Sequence, residues 1–254
     1  MWQCITGRGS WHGEIWNRRK NGEIYPEWLT ITAVKNQQSE VTHYVGMMLD
    51  ITARHEASLQ IERLAFYDHL TQLPNRRLLF DRLQQALLNC RRYAHVGAVY
   101  FVDIDDFKLL NDTLGHDMGD ALLIEVARRL SSCIRENDTV ARFGGDEFVI
   151  AIEGLKGDPF DAVRQAQAIG EKILFTLCRP YDLAGITHHA SASIGLTLFN
   201  EASSSVEEIM KQADIAMYQA KGAGRRTVRV FSPTMQAKIA KIGTRALLEQ
   251  DLHS

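Results

Sequence analysis

The chain has 254 residues, 45% of them hydrophobic and 24% charged, with a formal net charge of −2. This matches an ordinary globular protein of one domain or one and a half, and the lack of a basic stripe excludes a partner recognised through a nucleic-acid backbone. No apolar run reaches the roughly 18–20 residues of a membrane span, no signal-peptide core opens the chain, and Cys4, Cys90, Cys133 and Cys178 lack Cys-x-x-Cys spacing, so the expectation is a cytoplasmic protein with reduced thiols and no membrane segment.

All four tryptophans (Trp2, Trp11, Trp16, Trp28) fall in the first 28 residues, a stretch that reads as β-structure. Residues 13–19 form a predicted strand, and Asn21-Gly22 signals a hairpin because both residues tolerate positive φ. Two more β-rich runs follow at 23–34 and 41–49, separated by a polar loop at 36–40. Residues 51–66 are polar, with apolar positions at Leu59, Ile61, Leu64 and Ala65. They predict a connecting helix too short to separate a plain linker from a signalling coil.

From residue 65 the pattern alternates. Helices are expected at 78–93, 118–134, 160–177 and 206–220. Strands are expected at 96–102, 191–199 and 227–231, and 139–142 and 148–152 flank Gly144-Gly145 as a hairpin. The alternation predicts one α/β sheet covered by helices. Residues 235–254 read as an amphipathic helical tail.

Two short segments carry chemistry. The apolar strand at 96–102 runs into Asp103-Ile104-Asp105-Asp106-Phe107-Lys108, three carboxylates within four residues beside a basic side chain. Oxygen ligands of this kind suit a hard cation such as Mg²⁺ that bridges protein carboxylates to phosphates; a solvated turn is the plainer reading. The second segment is Arg142-Phe143-Gly144-Gly145-Asp146-Glu147-Phe148. Its glycines permit a tight turn and close approach of a bulky group. Adjacent strand residues face opposite ways, so Asp146 and Glu147 act together only if the turn distorts the pleat; the plainer reading is a charged hairpin tip.

Gly144-Gly145-Asp146-Glu147-Phe148 resembles the signature that names the GGDEF diguanylate cyclase family. The resemblance extends to Asp68-His69-Leu70-Thr71-Gln72-Leu73-Pro74-Asn75-Arg76, with Gln72 where glycine is usual. It continues through 103–108, Asn111-Asp112-Thr113-Leu114-Gly115-His116 and Gly119-Asp120. It closes with Ala213-Asp214, Ala216-Met217-Tyr218, Ala220-Lys221 and Gly224-Arg225. The motifs occur in family order. They imply that residues 67–232 fold as a mostly antiparallel central sheet flanked by helices, nucleotidyl-cyclase-like, and join two GTP molecules into cyclic di-GMP and two pyrophosphates. The resemblance further implies two Mg²⁺ (or Mn²⁺) ions per GTP, held by Asp103, the Ile104 carbonyl, Asp146 and Glu147, with Asp146 as proton acceptor and Arg142 helping to stabilise charge. Asn111 and Asp120 would read guanine, a division that physics supports because an ionised Asp accepts from guanine N–H groups while Asn both donates and accepts. Phe107, His116, Gly144 and Gly145 would line the nucleotide, and Lys108, Lys221 and Arg225 would hold its triphosphate.

Because one domain binds one GTP in this family, the resemblance implies a homodimer for catalysis. Arg135-Glu136-Asn137-Asp138 resembles the family's inhibitory product site through Arg135 and Asp138. The alternative implied function is a catalytically silent GTP- or cyclic di-GMP-binding regulator of an adjacent EAL domain. Residues 13–22 with Asp50-Ile51-Thr52 resemble the C-terminal part of a PAS domain. This suggests a partial PAS at 1–52, a connecting helix at 53–66 and a linker helix at 233–254 whose residues 244–252 resemble the start of an EAL phosphodiesterase domain.

Overall fold

The computed structural model describes residues 1–155, 159–203 and 205–235. The chain divides into two units, Met1–Ala65 and a second beginning at Phe66. The predicted helix over 235–254 lies almost wholly outside the described residues.

The first unit is a short helix, α1 (Trp2–Arg8), then the antiparallel meander β1 (Ser10–Arg18), β2 (Ile24–Lys35) and β3 (Val41–Asp50), then α2 (Thr52–Phe66). α1 corrects the all-β reading of the first 28 residues. Tryptophan favours strands, but here a single buried side chain, Ile5, anchors a helical turn or two. Gly9 ends it at φ 83°, with its N–H returned to the Ile5 carbonyl, the left-handed glycine stop common at helix C-termini. At the β1–β2 hairpin only Gly22 takes positive φ, at 91°. Asn21 serves instead through its side-chain oxygen, which accepts from the Glu23 N–H. β3 is exposed along its entire length.

The second unit is built on a five-stranded sheet of order β10-β9-β4-β6-β5. Its strands are β4 (Val96–Ile104), β5 (Thr139–Gly144), β6 (Glu147–Leu155), β9 (Ala192–Phe199) and β10 (Thr227–Val230). All pairings are antiparallel except β10 on β9. β4 is buried on both faces, as its unbroken apolar run requires. Tyr100, Val102, Phe148, Ile150, Ile194 and Leu196 point to one face and pack on α4 (Phe107–Leu114), α5 (His116–Cys133) and α6 (Pro159–Leu177). Val99, Phe101 and Val149 point to the other, against α3 (Arg76–Tyr93) and α7 (Val206–Gly222). Asn75 caps α3, its side chain accepting the Arg77 and Leu78 N–H groups, and Ser205 caps α7 through Glu208; such caps remove orphan donors.

In this unit three elements were not anticipated. α4 has only eight residues, too few for a periodic pattern to declare itself. β7 (Tyr181–Leu183) and β8 (Ile186–His188) form a small hairpin. Arg129 organises it, donating to the Thr176, Arg179 and Pro180 carbonyls while its guanidinium lies 3.6 Å from the Tyr181 ring centre.

Candidate functional site

β4 and β6 carry the acidic centre side by side. Asp103, near the end of β4, lies opposite Glu147, the first residue of β6. Both sit on the α7 side of the sheet, by the alternation that puts Phe101 and Val149 there. The Ile104 N–H donates to the Asp146 carbonyl at 3.3 Å, so the signature hairpin closes directly on the strand end. Asp103 is buried, and the Lys221 Nζ from the last turn of α7 donates to its Oδ2 at 2.6 Å.

Burial pushes the Asp103 carboxyl above the usual range; Lys221 opposes this and Asp146 adds to it. Burial raises Glu147 as well, and Asp103, Asp146 and Asp214 each push it further up. Asp214, on α7, is largely exposed; partial dehydration of its carboxyl raises it and Lys221 opposes this. Neighbouring carboxylates thus discourage the ionisation of Asp103 and Glu147, and one ammonium does not offset them.

Among the described residues no three His, Cys, Asp or Glu side chains converge on a single ion position. The donor chemistry nevertheless fits a hard divalent cation: all-oxygen, excess negative charge, and a cationic Nζ already drawn against Asp103.

The three aspartates after the strand part company. Asp105 is buried and satisfied within the fold: it accepts from Ser191 Oγ at 2.6 Å, Ser193 Oγ at 2.7 Å and the Arg226 N–H at 3.2 Å. It ties β4 to β9 and to the turn after α7. Asp106 is exposed, opens α4 at φ 56°, and lies 3.8 Å from Arg225 Nε. Arg225 and Arg226 themselves stand at φ 61° and 45°, strained positions held by the bond from Arg226 to Asp105.

Asn111 is on α4 and Asp120 on α5, with the bend at Gly115 between the two helices. The helices meet at Gly119, where a Cβ would come within 1.9 Å of Asn111 Oδ1. Asn111 Oδ1 is buried and has no hydrogen-bond partner among the described residues. Phe107 packs on the same glycine, while His116 and Lys108 are exposed.

Arg142 is engaged inside the protein. Its Nη1 donates to Asp68 at 3.1 Å, and its Nε and Nη2 donate to the Gly145 carbonyl at 3.0 and 2.8 Å. With these donors spent, the guanidinium clamps the Gly-Gly turn, where Gly145 has φ 51°. Burial pushes Asp68 up, but hydrogen bonds from Thr71 and Arg142 prevail and hold it below the usual carboxylate range. Asp68, Asp105, Asp214 and the two serines were missed as supporting residues. Asp68 and Asp214 lie within quoted motifs, so position in a motif was the available signal.

Arg135 and Asp138 lie on the turn before β5, where the Arg135 N–H donates to Asp138 Oδ2 at 3.0 Å. They border a cleft of about 330 Å³ with Glu153, Gln165 and Lys172.

A central sheet with helices on both faces and an acidic strand end against a Gly-Gly hairpin defines an α/β domain of the nucleotidyl-cyclase type. The family described as "Diguanylate cyclase, GGDEF domain" matches residues 65–227, and the chain belongs to it. The chain is 42% identical over 186 residues to the bifunctional diguanylate cyclase/cyclic di-GMP phosphodiesterase MucR of Pseudomonas aeruginosa, covering 73% of this chain and 26% of that protein. It is 31% identical over 252 residues to the probable diguanylate cyclase DgcE of Escherichia coli, covering 98% of this chain and 22% of that protein. It therefore spans about a quarter of the length of these curated relatives. A structure comprising only the GGDEF domain of TpbB (YfiN) from Pseudomonas aeruginosa superposes with a TM-score of 0.64 at 35% identity, covering 68% of this chain and 99% of that one. The coiled coil and GGDEF domain of DgcB from Caulobacter crescentus, solved in complex with c-di-GMP, gives 0.63 at 26% identity, covering 71% of this chain and 93% of that one.

Proposed function

We propose that this chain is an active diguanylate cyclase that condenses two GTP molecules into cyclic di-GMP and two pyrophosphates where two copies face each other. The observation that carries this reading is the buried Asp103 paired across the strands with the half-buried Glu147 beside Asp146, like charges held together with Lys221 drawn against Asp103. Mg²⁺ or Mn²⁺, two ions per GTP, held by Asp103, the Ile104 carbonyl, Asp146 and Glu147, would neutralise triphosphate charge and acidify the attacking hydroxyl.

The remaining work belongs to side chains. Asn111, whose Oδ1 is buried and without a partner among the described residues, accepts from the guanine edge, and Asp120 accepts beside it; adenine presents the opposite polarity. Phe107 and His116 flank the base. Lys108, Lys221 and Arg225 grip the phosphates, and the bare backbone of Gly144-Gly145 admits them. Asp146 takes the proton of the opposing nucleotide's 3′-hydroxyl as it attacks the α-phosphate. Arg142 serves through position, holding the turn. Product binds at Arg135 and Asp138 and restrains the reaction, Arg135 contacting phosphate in the two-pronged manner of a guanidinium.

A second reading has support in the relatives: one at 38% identity over 176 residues is named a cyclic di-GMP phosphodiesterase, NbdA of Pseudomonas aeruginosa. In that reading the domain binds nucleotide silently and governs a neighbouring EAL domain. The intact carboxylate set favours the enzyme. Incubating the chain with GTP and Mg²⁺ is expected to give cyclic di-GMP by mass, at a rate rising faster than linearly with enzyme concentration. Asp146→Ala is expected to give none. A wild-type chain that binds GTP at micromolar concentration yet forms no product establishes the silent reading instead.

A further inference from the structure

The site has cations on two sides of its carboxylates, and only one set has been assigned. Lys221, in the last turn of α7, and Arg225, in the turn that follows, approach from the β9–β4 side. On the opposite side, over β5 and β6, stands Arg76, the first residue of α3. Its guanidinium lies 4.7 Å from the centre of the Phe143 ring and 5.6 Å from that of Phe80. Phe143 is braced in turn by Phe80, stacked at 6.4 Å, and by Phe101, edge-on at 5.2 Å. A cation seated on an aromatic face is held by the ring while its N–H groups stay available in its own plane. Arg76 is exposed and makes no ion pair or hydrogen bond among the described residues. Arg142, two residues before Gly144, has its donors engaged by Asp68 and Gly145.

Arg76 also borders two neighbouring cavities. One, of about 830 Å³, includes Gly144 and Gly145; the other, of about 360 Å³, includes Glu147 and Asp214. Neighbouring strands lie about 4.8 Å apart, so a group over β5–β6 is displaced by roughly two strand spacings from one over β9–β4. A triphosphate gripped by Lys221 and Arg225 occupies the latter side. An anion at Arg76 is a different one.

We propose that Arg76, pre-oriented on Phe143, contacts the phosphates of the second nucleotide, the one carried by the facing copy of the chain. This rests on the cyclase reading for the identity of that nucleotide. It moves the charge-stabilising role expected of Arg142 to an arginine whose donors are unspent. Among the described residues Arg76 pairs with no carboxylate, so it reaches the incoming anion without first breaking an ion pair there.

The test uses the full chain with Arg76→Ala, Arg76→Gln and, as a remote exposed control on α6, Arg164→Ala. Two readouts are taken: steady-state kinetics with GTP and Mg²⁺, and self-association by sedimentation velocity. The second uses a GTP analogue with a methylene group between the α- and β-phosphorus atoms, which cannot release pyrophosphate. Both Arg76 variants are expected to lower kcat at least tenfold with KM for GTP within threefold. They should weaken analogue-driven dimerisation at least tenfold while leaving analogue bound per chain within twofold. Arg164→Ala should behave as wild type. Unchanged kcat and dimerisation overturn the proposal, as does loss of analogue binding to the dilute monomer, which makes Arg76 a contact to the chain's own nucleotide. A wild-type chain that makes no cyclic di-GMP but assembles in an Arg76-dependent way sinks the cyclase reading and leaves Arg76 standing. A wild-type chain that does not assemble sinks Arg76.

Discussion

Gln72 shows how a departure from a motif becomes intelligible at the level of one residue. It sits where the family usually has glycine, and its φ is 58°, a region that costs a side chain roughly 1–2 kcal/mol. Its Nε2 donates to the His69 carbonyl at 2.7 Å, which recovers part of that cost. Gln72→Gly is expected to stabilise the chain by about 0.5–1 kcal/mol after glycine's greater unfolded-state freedom is counted, read as a higher urea midpoint at unchanged slope. The acidic residues offer a second test. Asp103, Glu147 and Asp214 are raised on folding. A raised carboxyl favours the native state fully while protonated, below its unfolded pKa, and that contribution is lost as pH rises through the folded value. Without divalent cations, the melting temperature of wild type is expected to fall more between pH 5 and pH 8 than that of Glu147→Gln. Added Mg²⁺ should narrow the gap at pH 8 and leave pH 5 unaffected; equal slopes for both proteins rule out the repulsion. The sequence made the acidic residues visible, but not their separate tasks: nothing in the spacing of Asp103, Asp105 and Asp106 says that the first faces α7, the second bonds two serines and the third opens a helix. Those assignments depend on β9 and α7, about 90 and 110 residues further on.

Among the elements, α7 is the one on which both stability and the site depend. It lies on β9 at Gly195, where a Cβ would meet the Ala213 carbonyl oxygen at 2.0 Å and the Met217 nitrogen at 2.1 Å. Both are main-chain atoms, so no rotamer change relieves the clash. Gly195→Ala is expected to cost about 3 kcal/mol and to lower turnover beyond what the folded fraction explains, because displacing α7 moves Lys221 away from Asp103. Thermal melts and activity at matched folded fraction check this; full activity in the folded fraction argues against the coupling. Long periodic elements such as α3, α6 and α7 were legible because their apolar positions repeat over several turns. α1, α4 and the β7–β8 hairpin were not: each is short, and each depends on a tertiary anchor such as Ile5 or the Arg129 guanidinium that local pattern does not reveal.

For the whole molecule, the site and the Arg135–Asp138 turn stand at different places on the second unit, joined by β5 and its hairpin to Gly144. Arg135→Ala is therefore expected to raise the concentration of cyclic di-GMP needed for half-inhibition at least tenfold while leaving the initial rate within twofold. An initial rate that falls with it places Arg135 in the reaction rather than in its control. The central sheet and its long helices were readable from alternation alone. Which cations approach from which side became clear only with the strand order β10-β9-β4-β6-β5, since neighbours in space are not neighbours in sequence. Asp105 carries one last consequence. Two hydroxyls and a backbone N–H from within the fold satisfy it, so it has no need of an ion to stay in place. The left-handed bend at Arg225 and Arg226 is thus already set before any nucleotide arrives, and the entropy of arranging that bend is charged to folding rather than to each round of substrate capture.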